Sequence, residues 1–217
     1  MAGIQADRLD IKERNFDKDA ASWDEKPSRI KLADDLVQAL MDEKIPASDM
    51  DVMDFGCGTG LLTLRLRPHV RSIEGVDSSE GMLNVLRAKV ESQRVTNVKT
   101  QCLDLGKGDV LQGRYHMIVS GMVFHHVREI KPLFGQFYDH LNPGGYLCVA
   151  DLDFEGGEFH ENHDGVYHHG FDRAALRRDF VEAGFGEVRD RTAAKVAKTR
   201  PGGGKREFSV FLFVGRK

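Results

Sequence analysis

The sequence predicts an α/β protein in which helices cover both faces of a mostly parallel β-sheet. Short apolar runs that suit buried strands alternate with amphipathic helical runs from residue 28 to residue 184. The last two apolar runs, residues 185–195 and 207–214, have no helix between them. They must therefore pair antiparallel, because a parallel return needs a crossover. One domain of 217 residues is large enough to bury a full core.

Composition excludes several function classes. The formal net charge of −3 offers no field to attract nucleic acid or an anionic membrane. No apolar run approaches the roughly 20 residues that a membrane helix needs, so we expect a cytoplasmic protein. The cysteines Cys57, Cys102 and Cys148 form no close-spaced pair, and we expect buried reduced thiols rather than disulfides or a zinc site.

The first segment mixes polar and apolar residues. Residues 10–24 suit a short helix with one apolar face that includes Phe16 and Trp23, and Pro27 then begins a helix that runs to about Lys44. From the residues alone, Phe16 and Trp23 are ordinary core residues.

A glycine turn follows the first strand. Apolar residues lead into Asp54, then Gly56, Gly58 and Gly60 occur at alternate positions, and a helix begins at Leu61. Such a turn lets a nucleotide-sized ligand lie against the main chain near a helix N-terminus. A dinucleotide fingerprint needs its third glycine where Leu61 stands, so the spacing disfavours a nicotinamide site.

Acidic residues follow the next two strands. Residues 72–77 end in Asp77, at the distance from the turn where a carboxylate binds ribose hydroxyls. Alternatively Asp77 caps the next helix with Glu80, and Ser78 is a cap compatible with either role. Residues 97–104 contain a third strand with Asp104 just past its end, where an acid before Gly106 is typical of a turn.

Histidines lie after the fourth and fifth predicted strands. A strand over residues 115–120 leads into His125 and His126, a helix follows from residue 130 to residue 141, and residues 142–145 turn into an apolar strand over residues 146–151. The long loop of residues 152–171 contains His168 and His169. A helix capped by Asp172 and ended by Gly184 follows, and residues 198–206 form a basic loop between the last two strands.

The turn motif Asp54-x-Gly56-x-Gly58-x-Gly60 resembles the first motif of the class I S-adenosylmethionine-dependent methyltransferases. Phe16-Asp17, Trp23-Asp24, the paired histidines and the Leu-Asn-Pro-Gly-Gly run of residues 141–145 resemble the small-molecule, quinone-biosynthesis-like branch, type 11/12-like. The resemblance covers residues 16–217. It implies a Rossmann-like, doubly wound seven-stranded sheet of order 3-2-1-4-5-7-6 with the last strand antiparallel, in a single domain over residues 1–217.

The resemblance also implies site residues. It makes residues 1–45 a helical lid and places the cofactor S-adenosylmethionine, which leaves as S-adenosylhomocysteine, against a set of residues spread over the first half of the chain. These are Phe16, Trp23, Asp54, Gly56, Cys57, Gly58, Gly60, Asp77, Ser78, Met82, Leu103, Asp104, Ser120 and Gly121. Trp23, Phe124 and Tyr167 are candidates to hold the sulfonium by cation–π attraction.

The methyl acceptor is expected to be a small molecule covered by the loop of residues 152–171. His125, His126, His168 and His169 are the candidate general bases, although the paired histidines of similar proteins are often structural. The loop also collects glutamates and other histidines, but their spacings match no closed metal-site pattern, so we expect no metal. A cofactor-binding protein without catalysis and a nicotinamide-dependent dehydrogenase stay open as alternatives, and the sequence does not determine the oligomeric state.

Overall fold

The structure, a computed structural model, describes residues 11–199 and 203–217. Its strands form one seven-stranded sheet of order β3-β2-β1-β4-β5-β7-β6, which confirms the predicted order. The strands are β1 (Asp51–Phe55), β2 (Ser72–Asp77), β3 (Val98–Cys102), β4 (Tyr115–Gly121), β5 (Leu141–Leu152), β6 (Gly186–Thr199) and β7 (Lys205–Arg216). Strand β7 is antiparallel to β5 and β6, and β1 to β5 pair in parallel.

Helices cover both faces of this sheet. They are α1 (Phe16–Asp19), α2 (Pro27–Asp42), α3 (Leu61–Leu66), α4 (Glu80–Ser92), α5 (Lys131–His140) and α6 (Arg173–Glu182). Neighbouring residues of β1 belong to different cores: Val52 packs with Leu40 of α2, and Met53 packs with Phe137 of α5. Both faces of the central strands are thus apolar, as their near-continuous apolar sequences predict.

The predicted turn at residues 142–145 lies inside β5 rather than before it. Leu141 pairs with Tyr115 and Tyr146 pairs with Met117, so the four residues between Leu141 and Tyr146 bulge out of the ladder opposite a single residue of β4. Gly144 has φ 79°, a left-handed conformation that favours glycine. The predicted turn is therefore present, and only the start of the strand differs from the prediction.

Other boundaries differ at the margins. Strands β6 and β7 extend into the predicted basic loop, because residues up to Thr199 pair with residues from Lys205 onward. Residues 200–202 of that loop and residues 1–10 of the predicted lid lie outside the described residues. Cys57 and Cys148 are buried free thiols as expected, but Cys102 is exposed, because β3 is an edge strand. Within the described ranges, the helices are too short or too polar to cross a membrane.

Candidate active site

The glycine turn joins the carboxyl end of β1 to α3. Gly56, Gly58 and Gly60 have φ values of 72°, 55° and 83°, which only glycine adopts readily. A Cβ atom at Gly56 would lie 2.3 Å from the side chain of Val123, and one at Gly60 would lie 2.3 Å from that of Leu86. At Gly58 the nearest such atom is the sulfur of Met82, at 4.0 Å. Gly56 and Gly60 thus allow packing, whereas Gly58 borders open space.

Asp77 braces this turn against the start of α4. Its Oδ2 accepts a hydrogen bond from the Gly58 N–H at 2.7 Å, and its Oδ1 accepts one from the Ser79 N–H at 2.9 Å. Burial raises the pKa of Asp77, while these backbone hydrogen bonds act to lower it. A carboxylate has about four acceptor positions, so these hydrogen bonds leave acceptor capacity for ligand hydroxyls.

Asp54 lies beneath the turn. It is fully buried, and its Oδ2 accepts a hydrogen bond of 2.5 Å from the Thr63 hydroxyl. Desolvation raises the pKa of Asp54 to about 7, and the charge of Asp77 adds to the shift. A positively charged ligand group beside Asp54 would favour its ionised form. The turn therefore combines exposed backbone with two acids in a poorly solvated setting.

The start of α4 corrects one prediction. The N-cap is Ser79, whose hydroxyl accepts a hydrogen bond from the Met82 N–H at 3.1 Å, so the assignment of the cap to Ser78 is wrong. The chain turns one residue later than expected, because the Asp77 carboxylate binds the Ser79 N–H. Met82 itself is buried beside Gly58.

The ends of β3 and β4 flank the same space. The Leu103 N–H donates to the Asp77 carbonyl at 3.0 Å. Asp104 forms an ion pair with Lys107 at 3.0 Å, an arrangement compatible with either of its two predicted roles. The buried Ser120 hydroxyl donates to the Phe55 carbonyl at 3.0 Å and so ties β4 to β1.

Two further predicted cofactor residues line the inside of this region. Gly121 follows Ser120 and packs near Leu36 of α2. Burial raises the pKa of Cys57, which keeps that residue a thiol beneath the turn. The cofactor roles of all these residues stay predictions.

The N-terminal segment, residues 11–25, is anchored on the glycine turn and on α4. Asp17 Oδ1 accepts hydrogen bonds from the Ser79 hydroxyl at 2.5 Å and from the Gly81 N–H at 2.7 Å. Asp24 accepts a hydrogen bond of 2.6 Å from the Thr59 hydroxyl and forms an ion pair with Lys89. The acids of the two aromatic-Asp pairs are thus the anchors of the segment.

The aromatic rings of the segment have different surroundings. The guanidinium of Arg29 lies 3.5 Å from the ring centroid of Trp23, so that ring already binds a cation. The ring of Phe16 lies 6.0 Å from that of Trp23 and 5.1 Å from that of His126. Phe16 therefore connects the region of the glycine turn to the histidines after β4.

The two other rings proposed for the sulfonium already have partners within the protein. Phe124 is fully buried among core phenylalanines that include Phe134, so its assignment to the sulfonium is wrong. The ring of Tyr167 is covered by the guanidinium of Arg128 at 4.8 Å. The sequence does not predict the burial of Phe124, because the side chain of an apolar residue at the start of a loop can point to either side.

Three imidazoles, His125, His126 and His160, form what we call the histidine cluster. The ring centroids lie 4.1 Å apart for His125 and His126, 5.0 Å for His125 and His160, and 5.6 Å for His126 and His160. His125 Nδ1 donates to Asp151 at 2.7 Å, and His126 Nδ1 donates to the Gly165 carbonyl at 2.6 Å. Burial, aided by neighbouring histidines, lowers the pKa of His126 to about 3 and that of His160 to about 2.

The loop that follows β5 packs against this cluster. The N–H groups of Tyr167 and His168 donate to the His125 carbonyl at 2.9 and 3.2 Å. His168 Nε2 donates to the Val127 carbonyl at 2.9 Å, whereas His169 is exposed with its ring 5.3 Å from that of His163. The structure therefore brings His125 and His126 together with His160, and it holds His168 and His169 outside the cluster.

Several residues of the site were not predicted. Asp17 and Asp24 were visible only as parts of the aromatic-Asp pairs, and nothing in the sequence linked Ser79 to Asp17. His160 was one of several histidines in a long loop. Asp151 ends an apolar strand, which was a usable signal, because the carboxyl ends of such strands face ligands.

Comparisons with known proteins found related sequences. A family model described as "Methyltransferase domain" matches residues 26–188, more than half of the chain. An uncharacterized methyltransferase of Schizosaccharomyces pombe is 32% identical over 137 residues, which are 57% of this chain and 48% of that protein. A ubiquinone biosynthesis O-methyltransferase of Coxiella burnetii is 26% identical over 156 residues, which are 67% of this chain and 66% of that protein.

A solved structure supports the fold. A phosphoethanolamine N-methyltransferase of Haemonchus contortus, solved in complex with S-adenosyl-L-methionine, superposes with a TM-score of 0.66. The two sequences are 13% identical, and the match covers 83% of this chain and 52% of the other. The chain thus spans about half to two thirds of the length of these relatives.

Proposed function

The chain belongs to the methyltransferase domain family, and from that premise we propose that it transfers a methyl group from S-adenosylmethionine to a small-molecule acceptor. The observation that carries the proposal is the open space at Gly58, bordered by the carboxylate of Asp77 and backed by that of Asp54. A nucleoside-sized ligand that carries an ammonium group suits this combination of bare backbone and two acids.

We assign the ribose hydroxyls of the cofactor to Asp77. Its oxygens are held in place by the Gly58 and Ser79 N–H groups, so they are oriented before the ligand binds. We assign the ammonium group of the cofactor to the side of Asp54. The sulfonium end would then point from the turn toward Phe16 and the histidine cluster.

A small acceptor is supported by the way two covers meet over the strand ends. The Gly165 N–H, in the loop after β5, donates to the Lys12 carbonyl of the N-terminal segment at 2.7 Å, and Lys12 also pairs with Asp164 at 3.3 Å. Covers that contact each other leave room for a small molecule rather than for a folded macromolecule. They must separate for entry, as lids commonly do.

Methyl transfer from a sulfonium needs little covalent help, because the leaving group is already activated. The acceptor attacks the methyl carbon, the carbon–sulfur bond breaks with its electron pair going to sulfur, S-adenosylhomocysteine leaves, and the methylated acceptor releases its proton to water. Positioning about 3 Å from the methyl carbon supplies most of the acceleration. Of the four histidines predicted as bases, His126 lies beside Phe16. Its Nδ1 is bonded to the Gly165 carbonyl, and its Nε2 takes no part in that hydrogen bond. With a pKa of about 3 it is neutral at pH 7, and it would align the acceptor rather than deprotonate it before attack.

The test is a mass-spectrometric screen of metabolite extracts with purified protein and S-adenosylmethionine carrying a deuterated methyl group. We expect a product heavier by one labelled methyl group, formed only when protein and cofactor are both present. A protein that binds the cofactor in calorimetry but yields no such product from any extract would favour cofactor binding without catalysis. A protein that binds no S-adenosylmethionine would refute the proposal.

The cytoplasmic location of the protein stays a prediction.

A further inference from the structure

The histidine cluster has a feature that methyl transfer does not explain. The Nε2 atom of His160 is buried and makes no hydrogen bond within residues 11–199 and 203–217. Buried polar atoms are nearly always hydrogen-bonded, so an exception requires an explanation. One ring nitrogen of each histidine in the cluster lies within 4.8 Å of those of the other two.

The outer nitrogens of the cluster are already fixed. His125 Nδ1 donates to the buried carboxylate of Asp151, and His126 Nδ1 donates to the Gly165 carbonyl. Each donation places the proton on Nδ1, which leaves Nε2 of the neutral ring as a lone-pair donor. Carboxylates and backbone carbonyls are the usual outer partners of metal-binding histidines, because they fix the tautomer and the ring orientation.

The spacing of the rings also suits a shared ion. Imidazole nitrogens bind zinc at about 2.0–2.1 Å, so three tetrahedrally arranged rings have centroids roughly 5 Å apart. The centroids of the cluster are separated by 4.1 to 5.6 Å. We propose that His125, His126 and His160 bind one divalent transition-metal ion of the zinc class.

The surroundings are consistent with this site. Metals bind the neutral form of imidazole, and the hydrogen bonds made by Nδ1 of His125 and of His126 leave the Nε2 lone pair of each ring available. The positive charges of Lys198 and Arg14 disfavour a cation beside His160. The negative charge of Asp151, which pairs with His125, favours one. Three protein ligands leave a position for an oxygen of a bound molecule. There the ion, rather than His126, would orient a methyl acceptor and lower the pKa of its hydroxyl group.

The sequence predicts no metal from the spacings within the loop after β5, and no short ligand pattern could join His160 to His126, 34 positions earlier. Only the packing of the loop after β5 brings the two side chains together. The metal site does not depend on the proposed methyl transfer, since metal binding is measured directly.

The experiment titrates untagged, chelator-treated protein with Co²⁺, followed by its visible absorption, and then displaces Co²⁺ with Zn²⁺. We expect one equivalent per chain and at least a tenfold loss of affinity in His160→Ala. The matched control is His163→Ala, an exposed histidine of the same loop, which should bind like the parent protein. Melting curves and S-adenosylmethionine calorimetry establish that His160→Ala is folded. If the parent protein binds no stoichiometric Co²⁺ or Zn²⁺, or if both variants lose affinity equally, the site does not exist.

Discussion

The two halves of the candidate site are built differently. The half around the glycine turn consists of backbone and of residues that lie close to one another in the sequence, from Asp54 to Gly60, completed by Asp77. The half around the histidine cluster consists of side chains from separate loops, joined through Asp151 and the Gly165 carbonyl. On the proposed assignment, a short local motif recognises the cofactor, whereas the acceptor side depends on how loops pack. The predictions below test this contrast.

The largest effect is expected for Gly58→Val. A side chain at Gly58 would occupy the open space where the cofactor is proposed to lie, so we expect binding of S-adenosylmethionine to be abolished in calorimetry. Gly203→Val is the control, because Gly203 also has a positive φ, 93°, with nothing within 4 Å, and it lies in the β6–β7 hairpin. Equal affinity in both variants would mean that the turn has no ligand role.

Asp77→Ala is expected to weaken S-adenosylmethionine binding by roughly 1.5–3 kcal/mol, the range for hydrogen bonds to a charged group. The control is Asp172→Ala, which removes the cap that binds the Ala175 N–H in α6 but touches no part of the site. Thermal melts separate lost affinity from lost folding. Unchanged affinity in folded Asp77→Ala would remove the ribose assignment.

The pH dependence of binding tests Asp54. Its pKa of about 7 in the free protein means that a proton must leave before the carboxylate can pair with the ammonium group of the cofactor. Affinity should therefore fall about tenfold for each pH unit below about 7, with proton release in calorimetry. Asp54→Asn should remove most of this slope, and a slope that survives the substitution would assign it to another group such as Asp77.

The same group affects stability in a defined direction. The folded-state pKa of Asp54 is raised from 3.8 to about 7, so the folded protein retains a proton that the unfolded chain has lost. The free energy of unfolding should fall as pH rises from about 4 to about 7 and then level off. Denaturant titrations of the parent protein and of Asp54→Asn measure this contribution by difference.

A smaller effect is expected where the N-terminal segment is anchored. Asp17→Ala removes the hydrogen bonds from Ser79 and Gly81, so cofactor affinity should fall by about 1 kcal/mol, chiefly through faster dissociation. Asp35→Ala, which removes a surface pair with Lys31 on α2, is the control. Equal dissociation rates in stopped flow would show that the segment is not a lid.

The smallest effect on cofactor binding is expected for His168→Ala combined with His169→Ala. His168 binds the Val127 carbonyl and His169 is exposed, so their loss should loosen the loop without touching the glycine turn. We expect unchanged cofactor affinity and, once an acceptor is known, a turnover reduced about fivefold, equivalent to about 1 kcal/mol. Unchanged turnover would remove these residues from the mechanism and leave the acceptor side to the histidine cluster.

The sequence by itself determined the alternation of strands and helices, the place of the glycine turn and the acids at the strand ends, whereas the order of the strands came from the family resemblance. These features depend on apolar periodicity, on glycine spacing and on the rule that parallel strands end at the same edge, all of which are local properties. The N-cap of α4 differs from the prediction by one position, since it is Ser79 rather than Ser78.

Only the tertiary structure decided which histidines meet. Seen from the sequence, His168 and His169 were as suitable as His160, because a long loop carries no periodicity that fixes where its side chains point. Hydrogen bonds from the N–H groups of Tyr167 and His168 to the His125 carbonyl set the path of that loop. That path buries His160 against His125 and His126. No local pattern encodes this contact, because it joins through packing residues that lie far apart in the chain.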